Sequence, residues 1–171
     1  KAVGVKVITR PDNRWERVDI KTVSLLPNAM AKTAASRAGA YEAWLFDADN
    51  MVTECSSSNA WIVTKDGVLV TRPADHLILK GVTRTAIMKL AHDEGLAIEE
   101  RPFTVEEAYD AREAFVSSAN SFATPVTQLD DRVIANGKLQ GKTQSEGWNR
   151  FHWKQDVKHT VYLVSLAIGE F

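Results

Sequence analysis

The stretch Thr53-Glu54-Cys55-Ser56-Ser57-Ser58-Asn59-Ala60-Trp61-Ile62-Val63 decides how this chain is read. One carboxylate, Glu54, precedes a run of small polar residues, and an apolar segment follows at once. Ser and Asn hydrogen-bond their own backbone and favour turns, so a turn before a buried strand explains the pattern. A ligand site explains it too, because chemistry commonly sits on loops held by a rigid scaffold. The choice depends on what else the chain carries.

Outward from this stretch, the pattern is one of short strands between helices. Ala60 to Thr64 and Val68 to Thr71 read as a hairpin across Lys65-Asp66-Gly67, since Asp-Gly is a strong turn signal. Tyr41 to Phe46 and Met51 to Glu54 read as a second hairpin across Asp47-Ala48-Asp49-Asn50. Val3 to Thr9 alternates and is β-branched, which predicts a strand. Val18 to Val23 predicts a further short strand carrying Lys21. Pro27 to Gly39 reads as a helix with Pro at its start and Gly past its end. Gly81 precedes a helix over Val82 to Glu94, with Ile87, Leu90 and Ala91 on one face. Ala97 to Phe103 reads as a strand, and Thr104 to Ala111 as a short helix opening with the Thr-x-x-Glu capping box. Glu113 to Ser118 and Thr124 to Leu129 complete the strands. The fold class is mixed α/β (α+β), a strand-rich core with outer helices.

The tail differs. Gln140 to Lys158 is polar with scattered tryptophans, and Val161 to Ile168 is abruptly apolar. A helix plus a terminal strand fits, and so does sequence foreign to the body. The domain reading is therefore a body over 1–137 and an atypical tail over 138–171.

The bulk numbers restrict the function classes. A chain of 171 residues suffices for one ordinary domain. A formal net charge of -1 gives no electrostatic footprint for nucleic acid or an anionic membrane. No segment is long and apolar enough to span a bilayer. The single cysteine, Cys55, excludes an internal disulfide and a cysteine-based zinc cluster, and fits a cytoplasmic setting. His76, His92, His152 and His159 lack metal spacing. The chain opens at Lys1, which raises the expectation of a fragment or a processed piece.

Three further stretches could carry chemistry. Lys21 in Asp19-Ile20-Lys21-Thr22 is either an edge-strand lysine facing water or a partly buried amine able to act as a nucleophile. Leu79-Lys80-Gly81-Val82-Thr83-Arg84 is either an ordinary loop leading into a helix or an anion cradle of free backbone N–H groups. Ser117-Ser118-Ala119-Asn120 is a turn or a second set of small polar contacts. Together they suit one ligand, pyridoxal 5'-phosphate. Its aldehyde needs a lysine, its phosphate needs donors, and its ring nitrogen needs a carboxylate.

Four blocks carry a family resemblance. They are Asp19-Ile20-Lys21-Thr22 with Leu25-Leu26-Pro27-Asn28, Thr53-Glu54 with Ser56-Ser57-Ser58-Asn59, Leu79-Lys80-Gly81-Val82-Thr83-Arg84, and Phe115-Val116-Ser117-Ser118. In order and spacing, from about Val3 to Gly137, they resemble the class IV (fold-type IV) pyridoxal-phosphate aminotransferases, and most nearly the D-amino-acid (D-alanine) type. The resemblance implies the large C-terminal, cofactor-binding domain of that fold. It implies Lys21 as the catalytic Schiff-base lysine and Glu54 as the partner of the pyridine nitrogen. Leu79 would pack on the ring, while Gly81, Val82 and Thr83 would hold the phosphate. Ser118 and Ala119 would lie on its other side, with Ala119 standing where the family often has threonine.

The same likeness implies an amino acid and a 2-keto acid as substrates, a homodimer, and no metal. Branched-chain transamination, an aminodeoxychorismate lyase and a catalytically inactive fragment are the alternatives. Family members carry a smaller N-terminal domain before this region, and the expectation is that the chain begins after it. The family's Gly-Pro-Gly-like turn has only a distorted counterpart in Asn136 to Thr143.

Overall fold

The computed structural model describes residues 4–134, 138–145 and 148–154. In chain order the elements are β1 (Val5–Pro11), α1 (Leu26–Arg37), β2 (Glu42–Phe46), β3 (Val52–Cys55), β4 (Asn59–Val63), β5 (Leu69–Thr71), α2 (Val82–Asp93), β6 (Ile98–Glu100), α3 (Val105–Asp110), β7 (Glu113–Ser118), β8 (Phe122–Leu129), β9 (Arg132–Val133), β10 (Lys138–Ser145) and β11 (Trp148–Lys154).

Eight strands lie in the order β3-β2-β1-β8-β7-β4-β5-β6, and β9 pairs with β8 to make a nine-stranded sheet. Two helical crossovers give parallel pairs: α1 links β1 to β2, and α2 links β5 to β6. Both expected hairpins form, β2 with β3 and β4 with β5.

Successive strand residues point to opposite faces, and the core divides accordingly. Val5, Val7, Ala60, Ile62, Ala114 and Val116 belong to one cluster, which also takes Val105 and Ala108 of α3. On the other face Trp61, Val63 and Phe115 pack under Ile87 and Ala91 of α2. Ile8, Ala43 and Leu45 pack there under Ala31 and Ala35 of α1. Two aromatic pairs set the interior. Trp61 stacks on Phe115 with centroids 5.4 Å apart, and Trp44 meets Phe103 edge-on at 6.1 Å. The Thr104 N-cap forms: its hydroxyl accepts from the Glu107 N–H at 3.0 Å, while the Glu107 carboxylate turns to Arg101.

Three expectations need correction. Residues 18–23 form no strand. Val18 N–H donates to the His76 carbonyl and Ile20 N–H turns back to that of Arg17, so the segment is a loop. The apolar, β-branched Val18, Ile20 and Val23 misled because among the described residues no strand pairs with them, and Val23 is 96% exposed. The strand expected over Ala97 to Phe103 shortens to Ile98–Glu100. In the tail, β10 and β11 pair antiparallel in a separate two-stranded sheet where a helix was one expectation. The apolar stretch Val161 to Ile168 lies outside the described residues.

Candidate active site

Glu54 lies next to the last residue of β3, inside the protein, and three groups converge on its carboxylate. The Arg14 guanidinium donates from Nη1 to Oε1. The Asn59 side-chain amide and the Leu79 backbone N–H both donate to Oε2, each at 3.2 Å. Burial pushes the carboxyl up, to about 7, although Arg14 pulls the other way. Removing a carboxylate from water disfavours its charged form, and here that cost exceeds the gain from one guanidinium.

Arg14 is the partner that sequence reading missed. It lies in the loop after β1, with its side chain 3% exposed. Its fork grips Asp12 through Nε at 2.9 Å and Nη2 at 2.6 Å, and Nη2 also reaches the Leu77 carbonyl at 3.1 Å. The Thr53 hydroxyl donates to Asp12 Oδ2 as well, at 2.7 Å. Burial alone would raise Asp12, but Arg14 and Thr53 together hold it below the usual carboxylate range.

Asn59 organises the rest. Its amide nitrogen also donates to the Leu79 carbonyl at 3.0 Å. A β-carbon placed on Gly81 would stand 2.5 Å from its Oδ1. Its backbone pairs with Ser117, so Ser118 and Ala119 lie just past the end of that pairing. Thus Glu54, Leu79, Gly81 and the end of β7 meet around one amide. The serine run is fixed from behind: Ser57 donates to the buried Glu42 carboxylate at 2.6 Å, and Ser56 donates to the same carboxylate.

A cleft of about 720 Å³ opens beside Glu54. Lys21, Glu54, Leu79, Arg14, Trp15 and Asn28 are among the residues that line it. Lys21 sits in the loop and is exposed, with no ion-pair or hydrogen-bond partner among the described residues. Of the two readings of Lys21, the side chain facing water is the one observed, on a loop and not on an edge strand. Gly81, Val82, Thr83, Ser118 and Ala119 do not line the cleft. Gly81 is the N-cap of α2, and no side chain caps that helix. Thr83 is buried and Val82 is exposed. Ser118 shares a hydrogen bond of 2.8 Å with Ser121, and Ala119 faces solvent. Among the described residues no acidic, histidine or cysteine cluster could hold a metal ion.

The cleft thus brings together Lys21, Glu54 and Leu79, and the start of α2 at Gly81 is tied to Glu54 through Asn59. The amino-transferase class IV family profile matches residues 2–129, and the chain belongs to that family. It is 46% identical over 135 residues to a D-alanine aminotransferase of Listeria monocytogenes serotype 4b (strain F2365), covering 79% of this chain and 46% of the relative. A branched-chain aminotransferase structure from Thermoproteus uzoniensis, with norvaline, superposes at a TM-score of 0.73 and 34% identity, covering 80% of this chain and 48% of that one. A hypothetical aminotransferase from Mycobacterium tuberculosis in its PLP-bound form superposes at 0.71 and 26% identity, covering 77% and 49%. The chain therefore spans about half the length of the relatives it matches.

Proposed function

We propose that this chain is the cofactor-binding part of a pyridoxal-phosphate-dependent aminotransferase that moves an amino group between a D-amino acid, D-alanine or a close relative, and a 2-keto acid. The observation that carries the reading is the convergence of Lys21, Glu54 and Leu79 on one cleft, with Glu54 buried and bonded from three sides.

The donor set fits the cofactor. A carboxylate offers about four acceptor positions. Three donors already use Glu54, which leaves capacity for one ring N–H. The uncapped start of α2 offers backbone donors suited to a phosphate, with Gly81 leaving room for the Asn59 amide against it. Leu79 presents an apolar side chain to the cleft for a ring face. When bound, pyridoxal phosphate supplies an electron sink conjugated to the reacting carbon.

The protein's own groups do the rest. Lys21 Nζ, without a hydrogen-bond or ion-pair partner among the described residues, would hold the cofactor through its aldehyde and, once released by the incoming amino group, would carry a proton to and from the substrate α-carbon as base and acid. Glu54 holds a proton on the ring nitrogen, which favours the electron-poor ring. Gly81, Val82 and Thr83 on one side, and Ser118 and Ala119 on the other, fix the phosphate. Arg14 aims the Glu54 carboxylate and pulls it toward its charged form against the cost of burial.

The body over 1–137 is the unit that folds around this site, and 138–171 is an addition to it. We take the active form to be a homodimer. The exposed apolar residues Trp15, Ile20, Leu25, Leu26 and Met30 support an interface at the cleft side. We place the protein in the cytoplasm, where a free thiol such as the buried Cys55 stays reduced.

The test is an absorbance titration of the purified chain with pyridoxal phosphate beside a Lys21→Ala control. A shifted band in the wild type that the control lacks supports the reading. Screening D-alanine and branched-chain L-amino acids as donors then separates the D-type from the branched-chain type, the second reading favoured by the 34% identity to the Thermoproteus enzyme. No band in a folded wild-type chain contradicts cofactor binding by this chain.

A further inference from the structure

Arg14 cannot reach Glu54 by chance. Its side chain is long and has many rotamers, and ordering it costs entropy. Only one of its two terminal nitrogens bonds Glu54; the opposite edge of the guanidinium is taken by Asp12. That grip has two prongs, and the Arg14 backbone N–H adds a third bond to Asp12 Oδ1 at 3.0 Å. Asp12 is itself fixed by the Thr53 hydroxyl, one residue before Glu54 on the same strand. The result is a closed loop of contacts, Thr53 to Asp12 to Arg14 to Glu54, that returns to the strand where it began.

We propose that Asp12 is a positioning residue for Glu54: by gripping the Arg14 fork it aims the guanidinium at the carboxylate and biases that carboxylate toward its charged form. The proposal rests on the reading of Glu54 as the cofactor's ring-nitrogen partner for its purpose, but not for its geometry. Asp12 carries the same charge as Glu54, so its direct effect is repulsive. A residue that only contributed charge would make Glu54 harder to ionise. One that orients Arg14 makes it easier, because a guanidinium held in contact outweighs a like charge one residue further away. The charged groups facing Glu54 are Arg14 and Asp12 from the loop after β1, with Lys21 across the cleft. Asn59 and Leu79 offer neutral donors, and the neighbouring Cys55 is a buried thiol pushed well up by burial.

The two roles predict opposite signs. Cofactor-free protein is labelled with carboxyl-13C glutamate, and the Glu54 signal, assigned by its loss in Glu54→Gln, is followed against pH. In Asp12→Asn, positioning predicts that the Glu54 midpoint rises by about one pH unit or more, as Arg14 loosens. A fall, or no change, overturns the proposal. Arg14→Lys keeps the charge and loses the fork, so it should also raise the midpoint. An unchanged midpoint there overturns the proposal as well. It also decides the question if Asp12→Asn does not fold. None of these readouts needs bound cofactor. A wild-type chain that ignores pyridoxal phosphate but shows the Asp12 effect would refute the cofactor reading and leave the positioning role standing.

Discussion

The Oδ1 atom of Asn59 occupies the space that a β-carbon on Gly81 would need: the two would stand 2.5 Å apart. The contact is an amide that also holds Glu54 and Leu79, so it does not yield freely. Gly81→Ala should therefore displace Asn59 or the start of α2. We expect affinity for pyridoxal phosphate to fall about tenfold, or about 1.4 kcal/mol. Gly39→Ala is the control. It has φ +66 and nothing within 4 Å, so it should cost about 1 kcal/mol of stability without changing binding. Equal loss of affinity in both variants would contradict the cradle.

Glu54 should leave a signature in the pH dependence of folding. An unfolded glutamate titrates near 4.5, whereas Glu54 is pushed up to about 7. Between those values the folded protein holds a proton that the unfolded chain has lost. Stability from this group therefore falls as pH rises from about 4.5 to about 7, and is level above that. Asp12 acts in the opposite sense. Its pKa is held below 3.8, so its contribution is present above 3.8 and is lost as pH falls through the folded value. Urea unfolding across this range should show the downward slope in wild type and a flatter curve in Glu54→Gln. The same slope in both would refute the assignment.

The pairing beneath the site is open to a stability test. Trp61 is fully buried and donates its indole N–H to the Ser117 hydroxyl at 2.8 Å. Ser117→Ala leaves that donor without an acceptor in a dry core. We expect a loss of about 1–3 kcal/mol, read as a lower Tm. Ser118→Ala, one residue along and partly exposed, should cost much less. Parity between the two would contradict the argument.

What could be read from the chain alone follows from how local each signal is. The hairpin turn at Asp66-Gly67, the N-cap at Thr104 and the Gly81 start of α2 all depend on neighbours within a few residues, and all three formed. Glu54, Asn59 and Leu79 were marked by spacing within recognisable blocks, and the fold joined them. Lys21 was marked by motif, and the strand expected around it is a loop. A short β-branched run makes a strand only where a partner strand exists, and among the described residues the loop 18–23 has none. Arg14 and Asp12 were not found. Their significance lies in contacts with residues about forty positions away, and a lone Asp-x-Arg in a polar loop resembles any solvated turn.

The apolar rim of the cleft predicts association. Leu26, 71% exposed, lines the cleft with Trp15, Ile20 and Leu25, and Met30, 63% exposed, follows it by about one turn of α1. A contiguous exposed apolar surface of this kind commonly marks an interaction site. Sedimentation of the purified chain should show a dimer or larger species, and Leu26→Lys with Met30→Lys should shift it toward monomer. A monodisperse wild-type monomer would contradict the interface.

The central claim is that Lys21 is the residue that bonds the cofactor. It is tested most directly by incubating the chain with pyridoxal phosphate, reducing with borohydride and mapping the modified peptide by mass spectrometry. The account predicts one phosphopyridoxyl group on Lys21, and none in Glu54-containing protein carrying Lys21→Ala. Label spread over exposed lysines such as Lys65 and Lys89, with Lys21 no more modified than they are, would contradict it.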